Sequence, residues 1–336
     1  LQPDMYVNPF PMVALGPLME LLDFQQLRWP GHGVDPAHCY QFVEDSYMTE
    51  DEYDHLLSDP TDYFLRTYVP RICKALEPLH SLPSLPGRGY TRLLTLSAAF
   101  AQPDIVVAIE TLLTAGMEAK KMLDATTAFE SEMAALGFPP QFGANAYAPF
   151  DYVGDFFRGT RGIMIDMYRR PGKLVSTMHK LLPAITESAI STASRTGIPR
   201  VFMPLHKGAS GFMSLDQFRN FYWPTLQELI VRLIDQGITP CVLFEGDYTD
   251  RPEIIKDVPQ SKVIYWFEHT DVFKAKEILG DRICIRGNVP ATLLCVGTTQ
   301  EVITYCQRLI DIVGKGGGFI MDGGAGIPEE TKPENV

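Results

Sequence analysis

The sequence lacks a surplus of positive charge, which limits the partners that the protein can bind. Its 336 residues include 29 Lys and Arg against 41 Asp and Glu, giving a formal net charge of -12 at pH 7. It also lacks any run of roughly 20 uncharged apolar residues, the length that a membrane-spanning helix needs. Because nucleic acids and anionic membranes attract basic surfaces, we expect no nucleic-acid partner and no membrane partner.

Paired cysteine motifs are absent as well. The six cysteines form no CxxC pair, and several lie among apolar residues; they are Cys39, Cys73, Cys241, Cys284, Cys295 and Cys306. Such cysteines suit a reducing compartment, where they behave as small hydrophobic residues. The printed sequence begins at Leu1, and no signal-peptide pattern follows it. We therefore expect a cytoplasmic protein.

The C-terminal half alternates between strand-like apolar runs and helices. The predicted strands lie at residues 201–206, 241–244, 263–267, 283–286 and 318–321. Strands that alternate with helices indicate a parallel sheet, and short connections between them favour a barrel. We predict an α/β protein with a (β/α)8 TIM barrel in a single domain, residues 1–336. Residues 1–90 would supply an N-terminal covering segment and the first barrel elements.

The N-terminal half is less regular. Apolar or alternating runs predict strands at residues 40–48 and 93–98. Helical periodicity predicts two separate helices, at 103–123 and 125–136. The Pro- and Gly-rich stretch at 80–89 predicts a loop.

Each predicted strand of the C-terminal half ends on polar residues. The ends read His206-Lys207, Glu245-Gly246-Asp247, Glu268-His269-Thr270-Asp271, Arg286-Gly287-Asn288 and Asp322-Gly323. In a (β/α)8 barrel the carboxyl ends of all strands meet at one mouth, where catalytic residues lie. Taken singly, Glu245 could support a loop and His206 could be a structural histidine. Their predicted convergence is what favours a functional site.

Two carboxylates and two imidazoles at such a mouth permit two kinds of chemistry. They could bind Zn²⁺ and leave one coordination position open to a substrate. They could equally act as an acid–base set without a metal. The stretch 142–157 carries six aromatic residues that could hold an aromatic substrate, although core packing explains most of them equally well.

Three segments resemble the uroporphyrinogen decarboxylase superfamily. They are APFDYVGDFFRGTRGIMIDMYRRP at 148–171, GNVPATLLCVGTTQEV at 287–302 and GGGFIMDGGAGIPEETKPENV at 316–336. The resemblance covers residues 140–336 and implies a (β/α)8 barrel. It also implies one of two activities: decarboxylation of a tetrapyrrole, or methyl transfer to or from a corrinoid, often with zinc.

The residues that mark these activities in the superfamily differ in this sequence. The decarboxylases carry an RQAGR motif, which is absent here, and a His where this chain has Ala325. The thiol-methylating members bind zinc through His-x-Cys and a later Cys, and the matching positions are Leu243, Glu245 and Ala325. Glu245 in place of a thiolate would leave zinc a harder Lewis acid, suited to polarising an ether oxygen.

The resemblance and its departures together predict a corrinoid-dependent methyltransferase of the O-demethylase type. It would take a methyl group from a small methoxylated, aromatic substrate and pass it to Co(I) of a corrinoid carried by a partner protein. The predicted catalytic residues are Glu245, His269 and Asp247, and the predicted Zn²⁺ ligands are Glu245, His269 and Glu268, with His206 or Asp247 as alternatives for the third. The predicted substrate contacts are His206, Arg286, Asn288, Tyr147 and Phe150.

Two other functions stay open at this point. One is decarboxylation of a uroporphyrinogen-like acid, which needs cationic groups around the substrate carboxylates. The other is a non-catalytic homologue that binds a ligand or a corrinoid protein without turnover. The sequence also leaves open whether the chain forms a homodimer.

Overall fold

The computed structural model describes residues 15–36, 40–84 and 89–336. Cys39, the start of the predicted covering segment and the middle of the predicted loop at 80–89 lie outside the described residues. The chain divides into two compact units: the first reaches Gln141 and adds Asp155–Thr177, and the second comprises Phe142–Gly154 and Met178–Val336. The sequence indicates one domain because both later boundaries fall inside helical segments, where no linker composition marks them.

Helices dominate both units. The α-helices are α1 (Gly16–Leu22), α2 (Tyr53–Ser58), α3 (Pro60–Tyr63), α4 (Val69–Ile72), α5 (Gly89–Phe100), α6 (Pro103–Ala135), α7 (Pro149–Tyr152), α8 (Gly159–Arg169), α9 (Pro171–Thr196), α10 (Leu215–Gln217), α11 (Trp223–Asp235), α12 (Pro252–Ile255), α13 (Val272–Leu279), α14 (Ala291–Val296) and α15 (Thr299–Arg308). Wider π-helical turns cover Phe64–Tyr68, Val153–Arg158, Phe218–Tyr222 and Leu309–Val313, and 3₁₀ turns cover Lys74–Ser81 and Pro333–Asn335.

The predictions for residues 93–136 of the first unit were wrong. The run 93–98, predicted as a strand, lies within α5, because its three leucines and one alanine are strong helix formers. The two helices predicted at 103–123 and 125–136 form the single helix α6, since no Gly or Pro separates them at Asp124. Among the described residues no one helix is long and apolar enough to cross a membrane, although α5 and α6 pass that test jointly across a 78° bend.

A small three-stranded sheet also belongs to the first unit. Strand β1 (Leu27–Pro30) pairs in parallel with β2 (Gly33–Val34) and antiparallel with β3 (Gln41–Phe42). Leu27 and Trp29 point to one face of β1 and pack with Met19 in a buried cluster. The strand predicted at 40–48 is therefore limited to two residues and belongs to this sheet rather than to a barrel.

The second unit is built on six parallel strands. They are β4 (Ala144–Asn145), β5 (Arg200–Leu205), β6 (Thr239–Phe244), β7 (Ile264–Phe267), β8 (Cys284–Arg286) and β9 (Phe319–Ile320). Their order in the sheet follows their order in the chain, with β4 and β9 at the edges. The predicted α/β fold with parallel strands is confirmed. In the part of the chain that the structure describes, this sheet has six strands and stays open between β4 and β9.

The core of the second unit lies where helices pack on the sheet. Helix α11 packs against β6, and its buried Leu226, Leu229, Ile230 and Leu233 recur at the spacing of one helix face. In β6, Pro240 to Phe244 are all buried, as expected for a central parallel strand covered on both faces. This packing fixes the strands whose carboxyl ends carry the polar residues described next.

Candidate functional site

The register of the sheet brings the ends of successive strands level with one another. Leu205 at the end of β5 lies opposite Phe244 at the end of β6, and Phe244 lies opposite Phe267 at the end of β7. The residues that follow these ends therefore emerge side by side. We call the group His206, Glu245, Glu268, His269 and Asn288 the strand-end site.

His206 and Glu245 form one carboxylate–imidazole pair of this site. Nε2 of His206 lies 4.0 Å from Oε1 of Glu245, and their side chains are 33% and 40% exposed. The ring of Tyr147 lies edge-on to the His206 imidazole, with 5.9 Å between ring centroids. The pair is thus partly desolvated but open to a ligand on one side.

Glu268 and His269 form a second pair next to the first. Oε1 of Glu268 lies 3.6 Å from Nε2 of His269, whose side chain is 64% exposed. The other oxygen, Oε2, accepts a hydrogen bond from the Gly246 backbone N–H at 2.7 Å. Because Gly246 directly follows Glu245, this bond ties the two pairs together.

The predicted zinc ligands are divided between these two pairs. The described ranges 15–36, 40–84 and 89–336 contain no group of three His, Cys, Asp or Glu side chains arranged to hold a metal ion. One oxygen of Glu268 is also engaged by the Gly246 N–H. The residues present therefore fit an acid–base pair better than the three-ligand zinc site that was predicted.

Asn288 supports the loops of the site through its whole side-chain amide. Its Nδ2 donates to the carbonyls of Glu268 at 3.2 Å and Thr270 at 2.8 Å. Its Oδ1 accepts from the Tyr305 hydroxyl at 2.9 Å. Both ends of this buried amide are therefore engaged within the protein, and the role of Asn288 in orienting a substrate stays a prediction.

Arg286 was predicted to orient the substrate, but the structure commits it to the sheet. Its Nε and Nη2 donate to Oδ2 of Asp322 at 2.8 and 2.5 Å, and the side chain is buried. The indole of Trp266, beneath the guanidinium, donates to the Gly323 carbonyl at 2.9 Å. This ion pair joins the ends of β8 and β9.

The other predicted site residues have different surroundings. The Asp247 carboxylate accepts from the backbone N–H of Thr249 at 2.8 Å and from its hydroxyl at 2.5 Å, which closes a local turn. Phe150 is fully buried and packs on Tyr222, with ring centroids 5.4 Å apart. Phe150 therefore belongs to the core, whereas Tyr147 keeps its place beside His206.

A cleft of about 320 Å³ opens beside Glu268 and His269. Its lining includes Thr249, Asn288, Tyr305 and Arg308, so its walls are largely polar. Arg308 stacks on the ring of Phe273 at 3.8 Å. This cleft adds a cation and a hydroxyl to the edge of the strand-end site.

Sequence reasoning missed one residue that contacts the backbone of the strand-end site. Asp151, at the start of the second unit, is fully buried and accepts hydrogen bonds from the backbone N–H groups of His206 and Lys207. Its position in the aromatic stretch 142–157 gave no sign of these bonds, because the partners lie 55 and 56 residues away.

Comparisons with known proteins give a consistent family. The family model described as uroporphyrinogen decarboxylase (URO-D) matches residues 115–336. The proteins named uroporphyrinogen decarboxylase from Chlorobium phaeobacteroides and Trichodesmium erythraeum are each 26% identical, over 184 and 168 residues. These matches cover 51% and 47% of this chain and 48% and 45% of the relatives. The chain thus spans about half the length of the curated relatives it matches.

A solved structure resembles the chain along nearly its full length. It is a methyltransferase from Methanosarcina mazei, with a TM-score of 0.59 and 13% sequence identity. The match covers 99% of this chain and 77% of the other. At that identity the likeness concerns the fold alone.

Proposed function

The chain belongs to the uroporphyrinogen decarboxylase family. Within that family, we propose that its strand-end site serves a methyl transfer and does not decarboxylate a tetrapyrrole. The substrate in this proposal is a small methoxylated, aromatic compound, and the acceptor is Co(I) of a corrinoid carried by a partner protein. The observation that carries the proposal is the half-exposed His206–Glu245 pair, with 4.0 Å between Nε2 and Oε1. Such a pair can hold a proton beside a leaving oxygen.

The proposed reaction needs a proton at the oxygen that loses its methyl group. The electron pair that attacks the methyl carbon would come from Co(I) of the corrinoid acceptor. The electron pair of the broken C–O bond stays on oxygen, which becomes an alcohol or phenol when it takes a proton. In our proposal protonated His206 donates that proton from Nε2, and Glu245 stabilises the imidazolium and orients it. General acid catalysis of this kind contributes roughly 10²- to 10⁴-fold to a rate.

Charge at the strand ends supports this proposal over decarboxylation of a polycarboxylate. Glu245 and Glu268 place two carboxylates at the site, and these would repel a substrate rich in acid groups. Of the nearby cations, Arg286 is bound to Asp322, and Arg308 stacks on Phe273 at the edge of the cleft. A methoxylated aromatic carries less negative charge, and Tyr147 beside His206 offers an aromatic edge for it to pack against.

The test is methyl transfer from a panel of methoxybenzoates to chemically reduced free cobalamin, followed by the absorbance of the cobalt. We expect His206→Gln and Glu245→Gln to lower the rate by about 10²-fold or more. The matched control is His179→Gln, since His179 and Glu228 form a comparable pair, 3.8 Å apart and half-exposed. That variant should keep the wild-type rate.

Three results would contradict the proposal. One is a wild-type chain that methylates no cobalamin with any donor although it binds the ligand, which would favour a non-catalytic homologue. The second is a normal rate in His206→Gln. The third is CO2 release from uroporphyrinogen, measured in parallel, which would favour the decarboxylase.

The predicted zinc ion is tested separately. The sequence predicts about one zinc ion per chain, as expected of a single catalytic site, and elemental analysis of the purified protein measures it directly. Bound zinc that is lost in Glu245→Ala would restore the metal-assisted alternative. The proposed reaction above uses His206 and Glu245 as an acid–base pair and involves no metal ion bound to this chain.

A further inference from the structure

The side chain of Asp151 lies beneath the backbone that carries His206. It projects from α7 and is fully buried. It accepts hydrogen bonds from the His206 N–H at 2.9 Å, the Lys207 N–H at 3.0 Å and the Tyr222 hydroxyl at 2.5 Å. One oxygen, Oδ2, serves both His206 and Tyr222, while Oδ1 serves Lys207.

These three bonds hold two consecutive peptide groups at the point where β5 ends. A carboxylate can accept from two adjacent N–H groups at once, because each of its oxygens has two lone pairs. Hydrogen bonds to an ionised acceptor are roughly twice as strong as neutral ones. The direction in which the His206 side chain leaves the backbone is therefore set by the position of Asp151.

The next residue along this loop is pressed against two buried tyrosines. A Cβ atom added at Gly208 would lie 2.7 Å from the Tyr248 hydroxyl oxygen and 2.9 Å from the Tyr222 ring. Both rings are fully buried. The loop thus has little room to shift toward these tyrosines. Asp151 restrains the same loop through its hydrogen bonds to the N–H groups of His206 and Lys207.

We propose that Asp151 is a positioning residue, which acts on the reaction through His206 and does not touch the substrate. It fixes the peptide groups of His206 and Lys207 so that the imidazole stays beside Glu245. Tyr222 assists by orienting the Asp151 carboxylate. The catalytic part of this inference rests on the proposed methyl transfer, whereas the anchoring of the backbone does not.

The first test measures anchoring without any activity. In Asp151→Asn the side chain has a single acceptor oxygen, so at least one of the two N–H groups loses its partner. We expect the amide hydrogens of His206 and Lys207 to exchange about tenfold faster or more in this variant. Hydrogen exchange followed by mass spectrometry or NMR of the segment 201–213 provides the measurement.

The control variant is Tyr53→Phe. Tyr53 is fully buried and donates its hydroxyl to the fully buried Asp166 at 2.8 Å, the same kind of bond that joins Tyr222 to Asp151. Tyr53→Phe should lower stability, because it removes a buried hydrogen bond, and leave the exchange at His206 and Lys207 unchanged. Equal exchange in Asp151→Asn and wild type would overturn the proposal, as would faster exchange in Tyr53→Phe.

The second test separates positioning from general loss of structure. Asp151→Asn should lower kcat of methyl transfer by about 10- to 100-fold with little change in KM, because a misplaced acid affects the chemical step. In a His206→Gln background the same substitution should cost less than about a further twofold, since the two residues act as a unit. Losses that simply multiply would show that Asp151 affects the fold and not His206.

The two hypotheses fail in distinguishable ways. A wild-type chain without methyl transfer contradicts the proposed function, and the exchange measurement still decides whether Asp151 anchors the strand end. Normal exchange in Asp151→Asn, with methyl transfer intact in the wild type, contradicts the positioning role alone.

Discussion

The guanidinium carbon of Arg286 lies 3.7 Å from the centroid of the Trp266 ring. In the same position the guanidinium donates two hydrogen bonds to a single oxygen of Asp322. Stacking and a forked ion pair both need the planar guanidinium, and a lysine ammonium supplies neither. The charges of Arg286 and Asp322 therefore neutralise each other. The carboxylates of Glu245 and Glu268 keep the strand-end site acidic.

Replacing Arg286 tests this structural role. We expect Arg286→Lys to lower the free energy of unfolding by about 2 kcal/mol, because a buried, charge-assisted pair loses a hydrogen bond and its stacking partner. Urea unfolding followed by circular dichroism measures the change. Arg232→Lys is the control: Arg232 pairs with Glu228 on the exposed face of α11, and it should change stability by less than about 0.5 kcal/mol. Equal stabilities of the Arg286 variant and the wild type would contradict a structural role.

Gly246 provides a prediction about the backbone of the site. Its φ is +86°, and an added Cβ would lie 2.9 Å from the Cβ of Ala209. We expect Gly246→Ala to destabilise the protein by roughly 2 kcal/mol, from the left-handed conformation and the close contact together. Gly116→Ala is the matched control, since Gly116 lies inside α6 with open space around it. It should be neutral or more stable by up to about 1 kcal/mol. A stable Gly246→Ala variant, by urea unfolding, would mean that the loop adapts.

The first unit contains a carboxylate whose protonation should weaken the fold. Hydrogen bonds from Arg66 to both oxygens, with a further one from His55, hold the pKa of Asp62 at about 2, below its ordinary value of 3.8. A carboxyl whose pKa is lower when folded adds stability above the unfolded pKa and loses it as the pH falls. The contribution of Asp62 should be complete above pH 4 and disappear toward pH 2. Its size is about 1 kcal/mol, because the side chain is partly exposed.

The measurement compares wild type with Asp62→Asn. The difference in their free energies of unfolding should be constant from pH 6 to about pH 4.5 and shrink toward zero at pH 2. Asp124→Asn, which removes a largely exposed partner of Lys120 on α6, should differ from wild type by less than about 0.5 kcal/mol throughout. A difference for Asp62→Asn that does not change with pH would show that Arg66 leaves the acidity of this carboxyl unaltered.

Local chemistry explains which parts of the fold were predictable from the sequence. The helix α15 begins with a capping box in which Thr298 and Glu301 exchange hydrogen bonds, and both residue types are visible in the sequence. The strands β5 to β8 are apolar runs bounded by polar residues, so their existence and order were predicted correctly. Strand β4 was missed because Ala144–Asn145 is too short and too polar to produce an apolar run.

The candidate site was also predictable only in part. That His206, Glu245 and Glu268 follow successive strands was predictable, because parallel strands end at a common edge. The pairing of Glu245 with His206, and of Glu268 with the Gly246 N–H, was not, since both depend on the twist and register of the sheet. The pairing of Arg286 with Asp322 was not predictable for a related reason: Asp322 lies 36 residues further along, and the sequence gives no measure of that distance in space.

Strand β6 is buried from Pro240 to Phe244, and the very next residue, Glu245, lies outside the packed layers. A substitution at position 245 can therefore change the chemical groups at the strand-end site without repacking of the interior. The side chain at this position can therefore vary while the packing of β6 is preserved. The acidic side chain at position 245 is exchangeable, whereas the strand that carries it is fixed by its packing.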